Sequence, residues 1–128
     1  MFRYTDELPD KEKLYELYDA LQWNEFLQLN AAQLYIAMKQ SWYSIYVYEG
    51  EKLIGTGRIV SDGVINAYLC GLGVHPDYRD RGIATEISRR LVERCENSKL
   101  HIQFFCKEEL VPYYEKMDFQ PFAVGMKK

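Results

Sequence analysis

The chain has 128 residues, of which 48% are apolar and 27% charged, and its net charge is −3. A chain of this length buries roughly two-thirds of its unfolded surface, enough for one proper core, so a single domain over 1–128 is expected. The weak negative charge disfavours nucleic acid as a main partner. No apolar run approaches the roughly 18 residues of a membrane span, and residues 1–7 lack a basic-then-apolar leader, which predicts a cytoplasmic chain with no membrane partner. Cys70, Cys95 and Cys106 are odd in number and scattered, and neither His75 nor His101 stands at ligand spacing from a cysteine. Neither a disulfide framework nor a metal site is expected.

Leu14, Leu17, Tyr18 and Leu21 recur at helical spacing and predict a helix over about 10–21. After a break at Gln22, Trp23 and Asn24, Asn30 with Gln33 three residues on forms a capping box, which opens a second helix ending near Gln40. Residues 44–48 and 52–60 are β-rich runs around a Gly50 turn and predict a hairpin. A third strand over 64–74 follows the turn at Asp62 and Gly63, and Pro76 stops it. Its glycines, Gly71 and Gly73, mark a bulge or a place where a backbone or ligand comes close. From Gly82, the stripe Ile83, Ala84, Ile87, Leu91 and Cys95 predicts an amphipathic helix whose Glu86, Arg89, Arg90, Glu93 and Arg94 face water in charge pairs. A strand over 100–106, a short helix over 108–117 with Pro112 in its first turn, and a last strand over 122–126 complete an α+β order with one βαβ crossover. Cys70 and Cys106, placed on strands, read as core residues.

Chemistry concentrates in residues 74–85, Val-His-Pro-Asp-Tyr-Arg-Asp-Arg-Gly-Ile-Ala-Thr. Here a glycine and small residues stand at a strand-to-helix turn beside two arginines. The first N–H groups of a helix have no internal partner and carry about half a positive charge, so a diphosphate can dock on them. Gly82 lets phosphates approach, Thr85 offers a hydroxyl, and Arg79 and Arg81 can form charge-assisted bonds. Taken alone the segment also reads as a solvated turn; the glycine-bearing strand before it favours the anion site. A dinucleotide fingerprint would need three glycines and a P-loop would need Gly-Lys-Ser/Thr, and the chain has neither. His75, just outside the strand, reads as a solvated or capping side chain, and His101 as an exposed strand residue.

Arg79, Gly82 and Ala84 resemble motif A of the GNAT superfamily of N-acetyltransferases, Arg/Gln-x-x-Gly-x-Gly/Ala. Residues 113–119, Tyr-Tyr-Glu-Lys-Met-Asp-Phe, resemble that family's Phe/Tyr-Tyr-Glu-Lys-x-Gly-Phe segment. Both stand in the right order, separated by a helix and a strand. The resemblance implies an α+β, GNAT-like fold: a central, mixed, mostly antiparallel twisted sheet flanked by about four helices, with a splayed strand pair binding the coenzyme. It implies acetyl transfer from acetyl-CoA, the co-substrate, to a primary amine of a small molecule or protein by direct attack. Coenzyme contacts are then expected from Leu72, Gly73 and Val74 and along the turn from Arg79, Asp80, Arg81, Gly82, Ile83, Ala84 and Thr85.

Tyr114 matches the family tyrosine that protonates the departing thiolate, and the motif alone singles it out among eleven tyrosines. Trp23, Tyr35, Asp62 and Tyr68 are candidates for the acceptor pocket, the aromatics being packing residues otherwise. Three departures stand out: Gly71 where many members carry an acid, Lys107 where many have Asn, and Asp118 where glycine is usual. Gly71 and Asp118 leave open a non-catalytic acyl-CoA-binding module, and Lys107 removes one contact to the pantetheine arm that the resemblance would imply. The short final strand leaves open a protein-interaction module, and dimers, common in the family, leave a homodimer as a further partner expectation.

Overall fold

A computed structural model describes residues 1–128. Strand β2 (Tyr43–Glu49) decides the layering, because its side chains alternate between two faces and residues 44–48 are all buried. A strand apolar on both faces needs a helical layer on each. Ile45 and Val47 join the core under the long helix α4 (Ile83–Asn97), with Ile54, Ile59, Leu69, Ile87 and Leu91. Tyr46 and Tyr48 face the other way, into a second core with Leu14, Leu17 and Tyr18 of α1 (Lys11–Ala20) and Leu34 and Met38 of α3 (Ala31–Lys39). The capping box that opens α3 is complete: Asn30 Oδ1 accepts from Gln33 N at 2.9 Å and Gln33 Oε1 accepts from Asn30 N at 2.9 Å.

Around β2 the sheet runs β1 (Arg3–Thr5), β2, β3 (Lys52–Ser61), β4 (Asn66–Val74) and β5 (His101–Gln103) in that order, all neighbours antiparallel except the parallel pair β4 and β5 joined by α4. This is the mixed, mostly antiparallel α+β sheet expected. Gly57 on β3 sets the distance to α4, since a Cβ there would lie 2.7 Å from Ile87 Cγ2 and 3.1 Å from Leu91 Cδ1. Gly57→Ala is therefore expected to destabilise the protein by about 1–3 kcal/mol through overpacking, read as a lowered denaturant midpoint. An unchanged midpoint would show that α4 rides less tightly than this geometry requires.

The solvent face of α4 carries the charge ladder read from the sequence. Glu86 pairs with Arg89 and Arg90, each at 2.7 Å, and Arg89 with Glu93 at 2.9 Å. Hydrogen bonds from Arg89 and then Arg90 hold the Glu86 carboxyl down at about 2. Its folded pKa lies below its ordinary value, so this stabilisation is complete above about pH 4.5 and is lost as pH falls toward 2. Thermal melts from pH 6 to pH 2 should show an acid limb that is shallower in Glu86→Gln; an identical limb would remove the ladder from the acid response.

Some elements differ from expectation. The N-terminal strand β1 is too short to show a period, and it exists because it pairs along the edge of β2, Arg3 opposite Tyr48. One turn of helix, α2 (Asn24–Leu27), fills the expected break, so the sheet carries five α-helical segments rather than about four. Residues 108–117 divide into a 3-10 turn over Glu108–Leu110 and α5 (Val111–Glu115), with Pro112 in the first turn where its missing N–H is tolerated. Strand β5 stops at Gln103, and no strand forms over 122–126. That segment crosses the Phe105 ring, which a Cβ at Gly125 would approach to 3.0 Å, instead of pairing with β5. Cys106, past the end of β5, is exposed and is not a core residue; Cys70 is half-buried and Cys95 is buried.

Candidate active site

The site is built where β4 parts from β5. Their parallel pairing covers Asn66 with His101, Ala67 with Ile102 and Tyr68 with Gln103, and ends there. From residue 69 to 74, β4 has β3 on one side and no strand on the other. Successive peptide groups of a strand point to opposite edges, so this half of β4 presents backbone donors and acceptors to a gap. A bulge accompanies the parting. The register with β3 slips between Thr56 opposite Gly73 and Arg58 opposite Cys70, so Gly71 and Leu72 together face Gly57. Gly71 takes φ +63°, the left-handed conformation such a bulge needs. Gly73 serves close packing: a Cβ there would lie 2.7 Å from both Leu21 Cδ1 and Trp23 Cη2.

The chain then turns into α4. His75 Nδ1 accepts from Asp77 N at 3.1 Å, which makes it the capping residue that its sequence setting suggested. Asp80 and Gly82 both adopt positive φ, +62° and +77°. Gly82 is the residue before the first turn of α4, and a Cβ on it would meet nothing within 4 Å. No side chain caps this helix, and the first intrahelical bond is Glu86 N to Gly82 O, which leaves the N–H groups of Ile83, Ala84 and Thr85 without helical acceptors. A 15-residue helix thus aims free donors and its positive end at open space over a glycine.

Each expected coenzyme residue finds a defined place. The side chains of Leu72, Val74 and Ile83 pack in the α4 core, so they offer only backbone. Arg79 Nε donates to Val74 O at 3.2 Å and joins the turn to the end of β4. Arg81 lies over the Tyr78 ring at 5.3 Å and donates from Nη2 to Asp77 O at 3.4 Å. Thr85 Oγ1 shares a 2.7 Å hydrogen bond with Tyr113 OH, which ties the start of α4 to α5.

That tie positions Tyr114. Its ring is half-buried against Phe104 (4.5 Å between centroids, edge-on), Tyr113 (5.0 Å) and Phe119 (6.4 Å). Burial first, then the neighbouring Tyr113 and Cys106, pushes its phenol pKa above 10. Asp118 closes α5 at φ +67°, taking the left-handed role that glycine has in the motif. Tyr114 and Tyr68 both line a cavity of about 740 Å³, walled also by Phe104, Phe105, Phe119 and Phe122. The cavity lies beside β5, and the residues of the α4 N-terminus stand outside it; the Tyr113–Thr85 bond connects the two places.

Of the acceptor candidates, Tyr68 is in the cavity wall, stacked at a tilt on Phe105 at 5.5 Å. Trp23 lies over Gly73 and edge-on to Tyr18 at 5.1 Å, beside the bulge. Tyr35 is half-buried on α3 and lines no part of the cavity. Asp62 is a turn residue: its Oδ1 accepts from Val64 N at 2.8 Å and Ile65 N at 2.7 Å, bonds that lower its pKa, and it stands at the end of β4 far from Val74. Sequence reasoning missed the ring of Phe104, Phe105 and Phe119 and the tether Tyr113; the signal that could have found them is the density of aromatics over 104–122.

The family described as the acetyltransferase (GNAT) domain matches residues 7–125. The chain belongs to the GNAT acetyltransferase family. An uncharacterised N-acetyltransferase ycf52 from Pyropia yezoensis is 25% identical over 120 residues, 90% of this chain and 67% of the relative. Among solved structures, a probable acetyltransferase from meticillin-resistant Staphylococcus aureus superposes with a TM-score of 0.85 at 17% identity, covering 100% of this chain and 98% of that one. A predicted acetyltransferase with acetyl-CoA from Clostridium acetobutylicum gives 0.70 at 19% identity, over 100% and 96%. These likenesses fix the GNAT fold; the parting of β4 from β5 and the open Gly82 turn are this GNAT chain's own geometry.

Proposed function

We propose that this GNAT protein transfers an acetyl group from acetyl-CoA to a primary amine by direct attack. The observation that carries the reading is the bulged, one-sided half of β4 running into the uncapped N-terminus of α4. The free N–H groups of Ile83, Ala84 and Thr85 fit a diphosphate, with open space in front of Gly82 to admit it. Backbone groups along 69–74 fit an extended, amide-bearing arm laid into the gap, as a strand would be. Acetyl-CoA, when bound, supplies the activated thioester.

The chain's own groups then divide the work. Backbone N–H groups beside Val74 polarise the thioester carbonyl, the electrostatic contribution that is usually largest in acyl transfer. As the amine nitrogen bonds to the acetyl carbon, the carbon–sulfur bond breaks, and one proton must travel from nitrogen to sulfur. Tyr114 handles that proton. Its raised pKa keeps the phenol protonated at neutral pH, so it donates a hydrogen bond to the departing sulfur. Because a thiol has a pKa near 8.5, full transfer from this phenol is uphill unless the proton lost by the amine replaces it. Asp62 is held in its turn, which leaves water with Tyr68 or a backbone carbonyl to take the proton of the amine, or an amine that arrives neutral.

The test is thiol release from acetyl-CoA across a panel of primary amines, with the N-acetyl product identified by mass. Amine-dependent release supports transfer. Coenzyme binding without release from any amine would favour the non-catalytic acyl-CoA-binding module.

A further inference from the structure

The cavity beside β5 bears on the acceptor, and its reading rests on the acetyl-transfer reading above. Its volume of about 740 Å³ falls within the roughly 300–1,000 Å³ of small-molecule sites. Part of its wall is the end of β5 with the residues that follow, Phe104 and Phe105 among them; the rest is largely the C-terminal segment over 119–127. Tyr114 and Tyr68 belong to the same lining, and Tyr68 is tilted on Phe105 with 5.5 Å between centroids.

Several properties set this cavity apart from packed core. Tyr68, Phe105 and Phe122 are exposed, so three rings on one concave surface keep faces that the protein itself does not cover. Residues 120–128 lie outside every helix and strand and take part in no backbone hydrogen bond. That part of the wall rests on the Phe105 ring, 3.0 Å from where a Cβ of Gly125 would lie, and it is free to adjust to what it covers. The charged residues of the lining, Glu115 and Lys127, are opposite in sign and exposed, and neither forms an ion pair. The cavity thus has no acid cluster for a polycation and no basic cluster for a carboxylate or phosphate.

We infer that the acceptor is a small primary amine on an apolar, ring-bearing body, and that this cavity holds the body. The placement follows from the chemistry. Tyr114 must touch the departing sulfur, the acetyl carbon is bonded to that sulfur, and the attacking nitrogen must come within about 3–3.5 Å of that carbon. The amine therefore works beside Tyr114, and the body behind it occupies the cavity that Tyr114 lines. A ring there meets Tyr68, Phe105 and Phe122 edge-on or offset, the arrangements aromatic pairs prefer. The apolar wall also serves the nitrogen: loss of water disfavours the ammonium, so the amine enters neutral and nucleophilic without a carboxylate base. Phe105 and Phe122 are then specificity-determining residues.

The experiment measures kcat/KM for phenethylamine and tryptamine against ethylamine and spermidine, in the wild type, Phe105→Ala and Phe122→Ala. Acetyl-CoA affinity is measured calorimetrically on all three. The wild type should prefer at least one ring-bearing amine over ethylamine by about 10- to 100-fold, mostly through KM. Both variants remove exposed side chains and should lose most of that preference, with acetyl-CoA affinity kept within about 2-fold. Phenethyl alcohol, which has the ring without the amine, should inhibit competitively against the preferred amine and not against acetyl-CoA. With acetyl-CoA present, it should also slow N-ethylmaleimide alkylation of Cys106, an exposed thiol of the cavity wall, while buried Cys95 stays unlabelled. Equal kcat/KM with and without a ring, a preference for spermidine, or a preference that survives in both variants would overturn the inference and leave acetyl transfer standing. So would inhibition competitive with acetyl-CoA, or Cys106 alkylation that phenethyl alcohol does not change. Failure of the wild type to bind acetyl-CoA, or to release thiol with any primary amine, would overturn the acetyl-transfer reading itself.

Discussion

Tyr114→Phe should lower kcat for the proposed acetyl transfer by about 10²- to 10³-fold, the range for loss of a positioned general acid, and should leave acetyl-CoA affinity within about 2-fold. The hydroxyl has no packing duty, because the ring makes the contacts with Phe104, Tyr113 and Phe119. The variant therefore keeps the fold, and its melting temperature should match the wild type. The same thiolate leaves whichever amine attacks, so the loss should be uniform across acceptors. Unchanged turnover would remove Tyr114 from the proton path. The control is Tyr113→Phe, which breaks the 2.7 Å bond to Thr85 while sparing Tyr114, and should cost less.

Gly82→Glu should weaken acetyl-CoA binding by at least about 100-fold, or roughly 2.7 kcal/mol. Two causes add. A carboxylate at the start of α4 takes the free N–H groups and the positive helix end for itself, and it repels the diphosphate. A side chain of any kind at φ +77° also strains the backbone, by about 1–2 kcal/mol. Gly82→Ala separates them, since it carries the strain without the charge and meets nothing within 4 Å. Both variants should lose similar thermal stability, while only Gly82→Glu loses most of the affinity. Equal affinity in Gly82→Glu and wild type would move the diphosphate elsewhere.

Features set by short stretches of chain are legible in the sequence. The Asn30–Gln33 cap, the buried stripe of α4 and its Glu86 ladder depend on residues three or four apart, and each forms as its spacing predicts. Gly71 and Gly82 are legible for a related reason: positive φ is a local requirement, and glycine meets it. Pairing is not local. Residues 3–5 become a strand and residues 122–126 do not, because the edge of β2 is free to receive the first while Phe105 lies across the path of the second. The acceptor candidates divide the same way. Trp23 and Tyr68 reach the opening of β4, whereas Asp62 has a closer use in its own turn.

Everything catalytic depends on the gap beside β4 and the open turn at Gly82 holding the coenzyme. Calorimetric titration of the purified protein with acetyl-CoA, with coenzyme A in parallel, tests this most directly. Saturable binding at one site per chain, lost in Gly82→Glu, is expected. No heat of binding for either ligand would refute the coenzyme site and leave a GNAT fold without its coenzyme function.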